Sequence, residues 1–302
     1  MRNRWFIALA AIGLHISIGS VYAWSVLTRP IMADMGFTLS QTTWTFSLAI
    51  LILGLSAGFL GSFAEKIGPK KSGLLAMLFW VTGLLGTAYA LSIHNLTLLY
   101  LFYGIIGGIG LGIGYITPVS TLVKYFPNRP GFATGLAIMG FGFASLIAGP
   151  LMQYLVAQVG LVDTFIILGV IYLVIMSASS LYLKAPQPKH PTRTTKDKST
   201  MYVHTHGMLA NDAMKTWQFG ALWWVFFINI TCGIGLLSLA SPMAQEAIGM
   251  TPTAAASLVG IIGIFNGGGR IAWSTISDYL GRAQTYILFF IIQIVAFYLL
   301  AQ

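Results

Sequence analysis

Charged residues are scarce in this chain of 302 residues, which is 57% hydrophobic and only 8% charged. Soluble domains carry about 25% charged residues, so the composition excludes a soluble globular protein. The mean hydropathy of +0.82 supports the same conclusion. Apolar residues come instead in runs of about 20, the length of helix that crosses the hydrocarbon core of a bilayer. The sequence therefore predicts an all-α polytopic membrane protein that has the lipid bilayer as its solvent.

Cysteine and acidic residues are also rare. The one cysteine, Cys232, excludes an intrachain disulfide and a cysteine-rich metal site. The seven acidic residues all fall in loops or at the ends of apolar runs, so neither a carboxylate pair nor a metal-ligand cluster is predicted within the membrane. No Ser/His/Asp grouping is evident. We therefore predict no enzymatic activity, no cofactor and no metal site.

Nine apolar runs are long enough to be membrane spans. Their predicted limits, each uncertain by a few residues, are 5–27, 44–64, 73–92, 97–122, 131–157, 161–183, 218–240, 254–276 and 284–301. Threading the chain through the membrane places every Lys and Arg except Arg29 and Arg270 on one side. The positive-inside rule makes that side the cytoplasm, so we predict a cytoplasmic N-terminus in a plasma or inner membrane. This topology also accounts for the net charge of +9, and no nucleic-acid partner is predicted.

The apolar pattern is interrupted by a long polar stretch between residues 184 and 216. This segment is rich in proline and mixed charge, a composition that cannot bury enough apolar surface to form a core of its own. We predict a cytoplasmic linker here. It divides the chain into a six-span bundle at 1–183 and a partial second bundle at 217–302, which holds spans seven to nine.

A short motif occurs twice, after span two and after span eight. The first copy is Gly61-x-x-x-Glu65-x-x-Gly68 followed by Lys70, and the second is Ser274-x-x-x-Asp278-x-x-Gly281-Arg282. Each copy places an acid at the cytoplasmic end of a helix, before a glycine turn and a cation that can pair with the acid or with a neighbouring helix end. Two copies six spans apart predict a transporter built from two repeated halves. We expect these loops to act in conformational gating.

Arg270 is the one cation within a predicted span. An ionisable side chain in the bilayer costs at least about 2.5–3.5 kcal/mol, so it persists mainly where it faces a polar pathway or a partner. Asn266, Arg270 and Trp273 recur at spacings of four and three, which puts them on one helix face. Because a guanidinium binds a carboxylate bidentately, this face predicts an anion site. The alternative is a side chain that snorkels to the interface.

Span one presents a second face, on which His15, Gly19 and Tyr22 follow each other at spacings of four and three. Tyr22 can line a cavity and donate a hydrogen bond. His15 can titrate near neutral pH and couple transport to protons. A lone histidine is more often a neutral, hydrogen-bonded helix residue, so both interpretations of His15 stay open.

Several segments resemble known families. The two repeated loops are similar to the signature loops of the major facilitator superfamily. Segments that resemble its oxalate/formate antiporter family are Asn3-Arg4-Trp5-Phe6, Gly19-Ser20-Val21-Tyr22-Ala23-Trp24-Ser25, Lys124-Tyr125-Phe126-Pro127 and Phe265-Asn266-Gly267-Gly268-Gly269-Arg270. The resemblance implies a secondary transporter that moves small organic anions such as oxalate, formate, lactate or pyruvate by alternating access. It also implies that Arg270 binds the anion, and that Tyr22 and Tyr115 belong to an aromatic cage around it.

Three features depart from that family. Phe141 stands where the family often has a cage tyrosine, which favours a less polar monocarboxylate, and the position of His15 is usually not histidine. Helices ten to twelve, with the substrate lysine of helix eleven, have no counterpart here, so the chain resembles a C-terminally truncated member. We expect such a chain not to transport alone, or to need a separately encoded C-terminal fragment. The alternative functions are transport of another solute, such as a drug or a sugar, and an inactive remnant.

Overall fold

The computed structural model describes residues 3–186 and 210–300. Within those ranges, eight helices are long and apolar enough to cross a membrane. The longest, Pro130–Tyr182, is broken at Gly160, where φ is 81° and ψ is 177°, so it supplies two of the predicted spans. We number the helices α1 (Arg4–Met35), α2 (Leu39–Ile67), α3 (Pro69–Ser92), α4 (Leu96–Tyr125), α5 and α6 (the two parts of Pro130–Tyr182), α7 (Trp217–Ala247), α8 (Pro252–Leu280) and α9 (Arg282–Leu300). The prediction of an all-α multi-pass membrane protein is confirmed.

The helices extend beyond the apolar runs that predicted them. Helix α2, for example, covers 39–67 where the apolar run covers 44–64. Its extra N-terminal turn is capped by Thr38, whose hydroxyl accepts from the backbone N–H of Gln41 over 3.3 Å, while the Gln41 side chain accepts from the Thr38 N–H over 2.9 Å. A run of apolar residues marks the hydrocarbon layer, whereas capping lets a helix continue into the polar interface.

Two of the helices change their pitch inside the membrane. Helix α1 contains a 3₁₀ turn at Ser20–Ala23, and α4 contains a π-helical stretch at Tyr100–Gly107. Such stretches within an α-helix often mark hinges or functional sites. The turn in α1 includes Tyr22, one of the predicted site residues.

The packing divides the chain into two compact units. The larger comprises residues 1–186 with 238–302, and in it α5 packs against both α1 and α8, while α1 also contacts α4. The smaller unit comprises 187–237 and includes the start of α7, where the Trp223 and Phe227 rings stack with centroids 5.1 Å apart. The predicted linker 184–216 lies mostly outside the described residues. The domain limits 1–183, 184–216 and 217–302 therefore stay predictions.

The larger unit is apolar both inside and outside. Its interior contains a cluster from α1, α4 and α5 that includes Ile7, Leu122 and Ala137, all fully buried. Its outer surface carries large apolar side chains such as Phe59, which is 79% exposed, and Val174, which is 62% exposed. Exposed apolar faces on both sides of a packed core are expected when the surrounding solvent is lipid.

Candidate functional site

Arg270 is half-buried in the larger unit and joins two helices. Its Nε–H donates to the Asn266 side-chain oxygen over 2.9 Å, and one terminal nitrogen donates to the Tyr22 hydroxyl over 3.3 Å. Asn266 lies four residues before Arg270, so both project from the same face of α8. The contact to Tyr22 links α8 to the 3₁₀ turn of α1. The structure thus brings together Arg270, Asn266 and Tyr22, all three of which the sequence had singled out.

An aromatic cluster surrounds this guanidinium, with Phe141 of α5 at its centre. The Phe141 ring lies edge-on to Tyr22, with centroids 4.7 Å apart, and edge-on to Tyr115 at 5.4 Å. The Arg270 Cζ atom lies 5.9 Å from the centroids of both Tyr22 and Phe141, within cation–π range. Helices α1, α4, α5 and α8 thus all contribute side chains to the site.

Close backbone contact between α5 and α8 sets the position of Arg270. A Cβ atom added to Gly142 would lie 2.5 Å from the Cα of Gly267, a distance that real side chains do not reach. Glycine at position 142 therefore lets the two backbones touch, as in small-residue packing between membrane helices, and a Cβ at Gly267 would meet the Phe143 ring at 2.6 Å. Gly267 lies one turn before Arg270, and Gly142 is next to Phe141. The contact therefore holds the guanidinium against the aromatic cluster.

Among the described residues, the partners of Arg270 are neutral. No carboxylate among the residues that the structure describes lies within 4 Å of its guanidinium. Asn266, Tyr22 and Tyr115 all interact with it. A guanidinium has five N–H donors, so these three neutral partners leave donors for a ligand. The arrangement can bind one anion.

His15 lies beside the cluster and holds helices together. It is fully buried, with Nδ1 2.5 Å from the carbonyl oxygen of Ala137 and Nε2 3.0 Å from that of Tyr115. A neutral imidazole has one N–H donor and can donate to one of these two carbonyls. Both ring nitrogens face backbone rather than Arg270, so contact between His15 and a substrate stays a prediction.

Trp273 contacts the next helix, α9, and its contact with a substrate stays a prediction. Its ring packs edge-on against Phe289 of α9, with centroids 5.2 Å apart. The helical spacing predicted that Trp273 shares a helix face with Arg270. Because three residues do not complete a helical turn, the Trp273 side chain points partly away from Arg270 and meets α9. Of the predicted site residues, the structure brings together Arg270, Asn266, Tyr22 and Tyr115, with His15 at their edge.

The second copy of the repeated loop binds the start of α5. The Asp278 carboxylate accepts from the backbone N–H groups of Gly131 over 3.2 Å and Phe132 over 3.1 Å. It also pairs with Arg282 over 2.7 Å. These donors are the free N–H groups at a helix N-terminus, where the helix dipole favours a negative charge. Asp278 thus connects the end of α8 to the start of α5.

The first copy has the same turn but a different partner. Gly68 and Gly281 adopt matching conformations, with φ of 82° and 89°, in the region that favours glycine. Glu65 pairs with Lys124 at the end of α4 over 2.9 Å, rather than with Lys70, which is exposed. Lys70 lies in the first turn of α3, beyond the glycine turn, whereas Lys124 is brought to Glu65 by the packing of α4 on α2.

The opposite end of the larger unit carries a contact that the sequence did not indicate. Arg29, near the end of α1, donates to the Gln245 side chain over 3.2 Å and to Glu246 over 3.0 Å. The Arg29 and Glu246 side chains are 40% and 62% exposed. In the sequence, Arg29 is 216 positions from Gln245 and 217 positions from Glu246. Only the folded structure could therefore reveal this link.

Comparison with known proteins finds relatives along nearly the whole chain. It is 29% identical over 296 residues to the uncharacterized MFS-type transporter YhjX of Escherichia coli (strain K12), covering 97% of this chain and 71% of that protein. It is 27% identical over 290 residues to the oxalate:formate antiporter of Oxalobacter formigenes, covering 95% of this chain and 66% of that protein. The chain thus spans about two thirds of the length of these curated relatives.

A solved structure shares the fold. It is a bacterial homologue of the human lysosomal transporter Spinster, in an inward-facing and unoccupied conformation, with a TM-score of 0.62 at 15% identity, covering 92% of this chain and 63% of that one. The family model of the Major Facilitator Superfamily matches residues 6–302. The chain therefore belongs to the Major Facilitator Superfamily, whose members are membrane transporters and not enzymes.

Proposed function

We propose that this chain serves secondary transport of small organic anions, with Arg270 binding the substrate carboxylate. The observation that carries the proposal is the guanidinium itself, which lies among neutral partners with no carboxylate of the described residues within 4 Å. An uncompensated cation at membrane depth costs several kcal/mol unless a partner neutralises it. A carboxylate substrate supplies that partner, and the planar fork of arginine suits it.

The aromatic cluster supports a monocarboxylate. Phe141 lies between the two tyrosines and within 5.9 Å of the Arg270 Cζ atom, and its ring offers no hydrogen bond. A second carboxylate placed against that ring would lose its hydration without a compensating donor. Lactate, pyruvate and formate therefore fit this wall better than oxalate. The similarity to the oxalate:formate antiporter of Oxalobacter formigenes supports the broader class of small carboxylates.

The two polar links at opposite ends of the larger unit support alternating access. Asp278 joins α8 to α5 at the predicted cytoplasmic end, and Arg29 joins α1 to α7 at the other end. A central anion site between two separable links is the arrangement that alternating access requires. We propose that the repeated loops, with Gly61, Glu65, Gly68 and Asp278 among their residues, act as the gating elements.

Direct binding to the purified chain tests the proposed site. Radiolabelled pyruvate, lactate, formate and oxalate are each titrated onto the protein in nanodiscs by scintillation proximity. We expect saturable binding, loss of binding in Arg270→Ala, and weakened binding in Arg270→Lys, which keeps the charge but not the fork. Lys71→Ala is the control, since it removes an exposed cation outside the proposed site and outside the two polar links. Unchanged binding in Arg270→Ala would show that the proposed site is wrong.

A further inference from the structure

We infer that the larger unit carries a second anion site, which takes the phosphate headgroup of an anionic phospholipid at the start of α1. A cavity of about 420 Å³ lies there, between the first turn of α1 and the loop that precedes α5. Arg4, Trp5, Phe126 and Arg129 are among its lining residues. Arg4 precedes Tyr22 by 18 residues, roughly 27 Å along the helix, so this cavity is separate from the Arg270 site.

The cavity carries uncompensated positive charge. Both Arg4 and Arg129 line it, and within the described part of the chain no carboxylate lies within 4 Å of either guanidinium. The acid that the contacts place nearby is Asp278, which is already engaged by the N–H of Phe132 and by Arg282. Two arginines without an acidic partner attract a phosphate, which accepts hydrogen bonds from both.

Aromatic contacts hold Arg4 at the cavity wall. Its Cζ atom lies 5.2 Å from the centroid of the Phe126 ring and 5.6 Å from that of Trp5. These two rings also pack edge-on against each other, with centroids 5.5 Å apart. Cation–π contacts on both rings order a side chain that is otherwise exposed. The donor fork is therefore in place before an anion arrives, which lowers the entropic cost of binding.

The depth of the cavity matches the headgroup layer. Arg4 is the first residue of α1 and Arg129 immediately precedes α5, so both guanidiniums lie where membrane helices begin. Trp5 is 52% exposed, and exposed tryptophans at helix ends are typical of the membrane interface. Basic pockets between helices at this level bind anionic lipid headgroups.

An apolar groove beside the cavity points to a lipid rather than to free phosphate. The groove has a volume of about 530 Å³ and runs between α1 and α6, from Phe6 past Leu9 to Ile16, with Tyr182 on the opposite wall. Phe6 is two residues from Arg4, so the groove starts close to the charged cavity and continues toward the membrane interior. An acyl chain fits this lining, and its phosphate then lies at the arginines.

Nanodiscs of defined lipid test the site independently of carboxylate binding. The protein is placed in phosphatidylcholine alone, or in phosphatidylcholine with phosphatidylglycerol, and retained lipid is counted by native mass spectrometry while thermal unfolding is recorded. We expect phosphatidylglycerol to be retained and to raise the unfolding temperature. The Arg4→Gln/Arg129→Gln variant should retain it roughly thirtyfold less, because the two cations together contribute about 2 kcal/mol to anionic-lipid binding.

Two control variants distinguish binding at Arg4 and Arg129 from a general electrostatic attraction between anionic lipid and the positive charge of the protein. Lys66→Gln/Lys71→Gln removes two cations from the same end and should retain phosphatidylglycerol as the unmodified protein does. Arg4→Lys/Arg129→Lys keeps the charge and should keep most of the retention, which guards against misfolding of the glutamine variant. Equal loss in the Lys66→Gln/Lys71→Gln variant would overturn the site. Equal stabilisation by inorganic phosphate in phosphatidylcholine discs would overturn the lipid assignment.

Discussion

Arg270 donates to the Tyr22 hydroxyl over 3.3 Å, longer than most N–H···O hydrogen bonds in proteins. Charge-assisted bonds to a carboxylate are shorter, at about 2.7–2.9 Å, and roughly twice as strong. Under the proposed function, this long contact leaves the guanidinium able to bind a carboxylate more strongly than it binds the hydroxyl.

Tyr22→Phe should weaken carboxylate binding about fivefold. The change keeps the ring that packs on Phe141 and removes the hydroxyl that orients the guanidinium, a loss of about 1 kcal/mol. Equilibrium binding to the purified variant measures the effect. Tyr154→Phe, which removes a hydroxyl from a side chain 62% exposed, serves as control and should bind normally. Full affinity in Tyr22→Phe would remove Tyr22 from the site.

Phe141→Tyr should shift substrate preference toward oxalate. A hydroxyl on this central ring gives a second carboxylate a hydrogen-bond partner that the phenyl ring lacks, and one such bond changes relative affinity by roughly tenfold. The ratio of oxalate to pyruvate affinity is the quantity to compare between the variant and the unmodified protein. An unchanged ratio would mean that Phe141 does not face the second carboxylate.

Gly142→Ala should separate α5 from α8 and reduce both stability and anion binding. The added Cβ would lie 2.5 Å from the Gly267 Cα, so the helices must move apart, at a cost of about 1–3 kcal/mol. Gly54→Ala is the matched control, since no atom lies within 4 Å of a Cβ at that position. Thermal unfolding of both variants in the same lipid measures the difference. Equal stability of the two would contradict the close contact between α5 and α8.

Asp278→Asn should be more destabilising than Glu65→Gln, although the two acids occupy equivalent positions in the repeat. The Asp278 side chain is 11% exposed and accepts two backbone N–H bonds, so its loss of charge should cost about 1–2 kcal/mol. The Glu65 and Lys124 side chains are 50% and 53% exposed, where ion pairs contribute little. Unfolding in denaturant compares the variants, and a larger effect at Glu65 would refute this ranking.

The predicted topology is testable by cysteine labelling in a Cys232→Ser background. A cysteine at Thr195 should react only after the membrane is opened, since the positive-inside rule puts the linker in the cytoplasm. A cysteine at Ser92, at the end of α3, should react from outside intact cells. The reverse pattern at both sites would invert the proposed orientation.

Much of the fold followed from the sequence because lipid constrains it strongly. Runs of apolar residues predicted nine spans, and the break at Gly160 falls between the fifth and sixth of them. Many predicted spans ended several residues before the helices do. Helix α1, for example, continues to Met35, whereas its predicted span ended near residue 27. Hydropathy reports the thickness of the hydrocarbon, whereas helix ends depend on capping groups in the interface.

The sequence indicated those candidate-site residues whose type is unusual within a membrane span. It did not indicate contacts that depend on how the helices pack. Arg270 stood out because a cation within a span is costly, and Asn266 followed from its spacing. Helical spacing also selected Trp273, which the structure places against Phe289 instead. The two carbonyls that face His15 belong to residues 100 and 122 positions away, so no local pattern could indicate them.

The ion pair between Arg29 and Glu246 should depend on the salt concentration of the surrounding solution. Both side chains are largely exposed, whereas Asp278 at the opposite end is nearly buried. Dissolved ions screen exposed charges over about 8 Å at physiological ionic strength and reach buried ones much less. Raising the ionic strength should therefore weaken the Arg29–Glu246 ion pair while leaving the Asp278 contacts nearly unchanged.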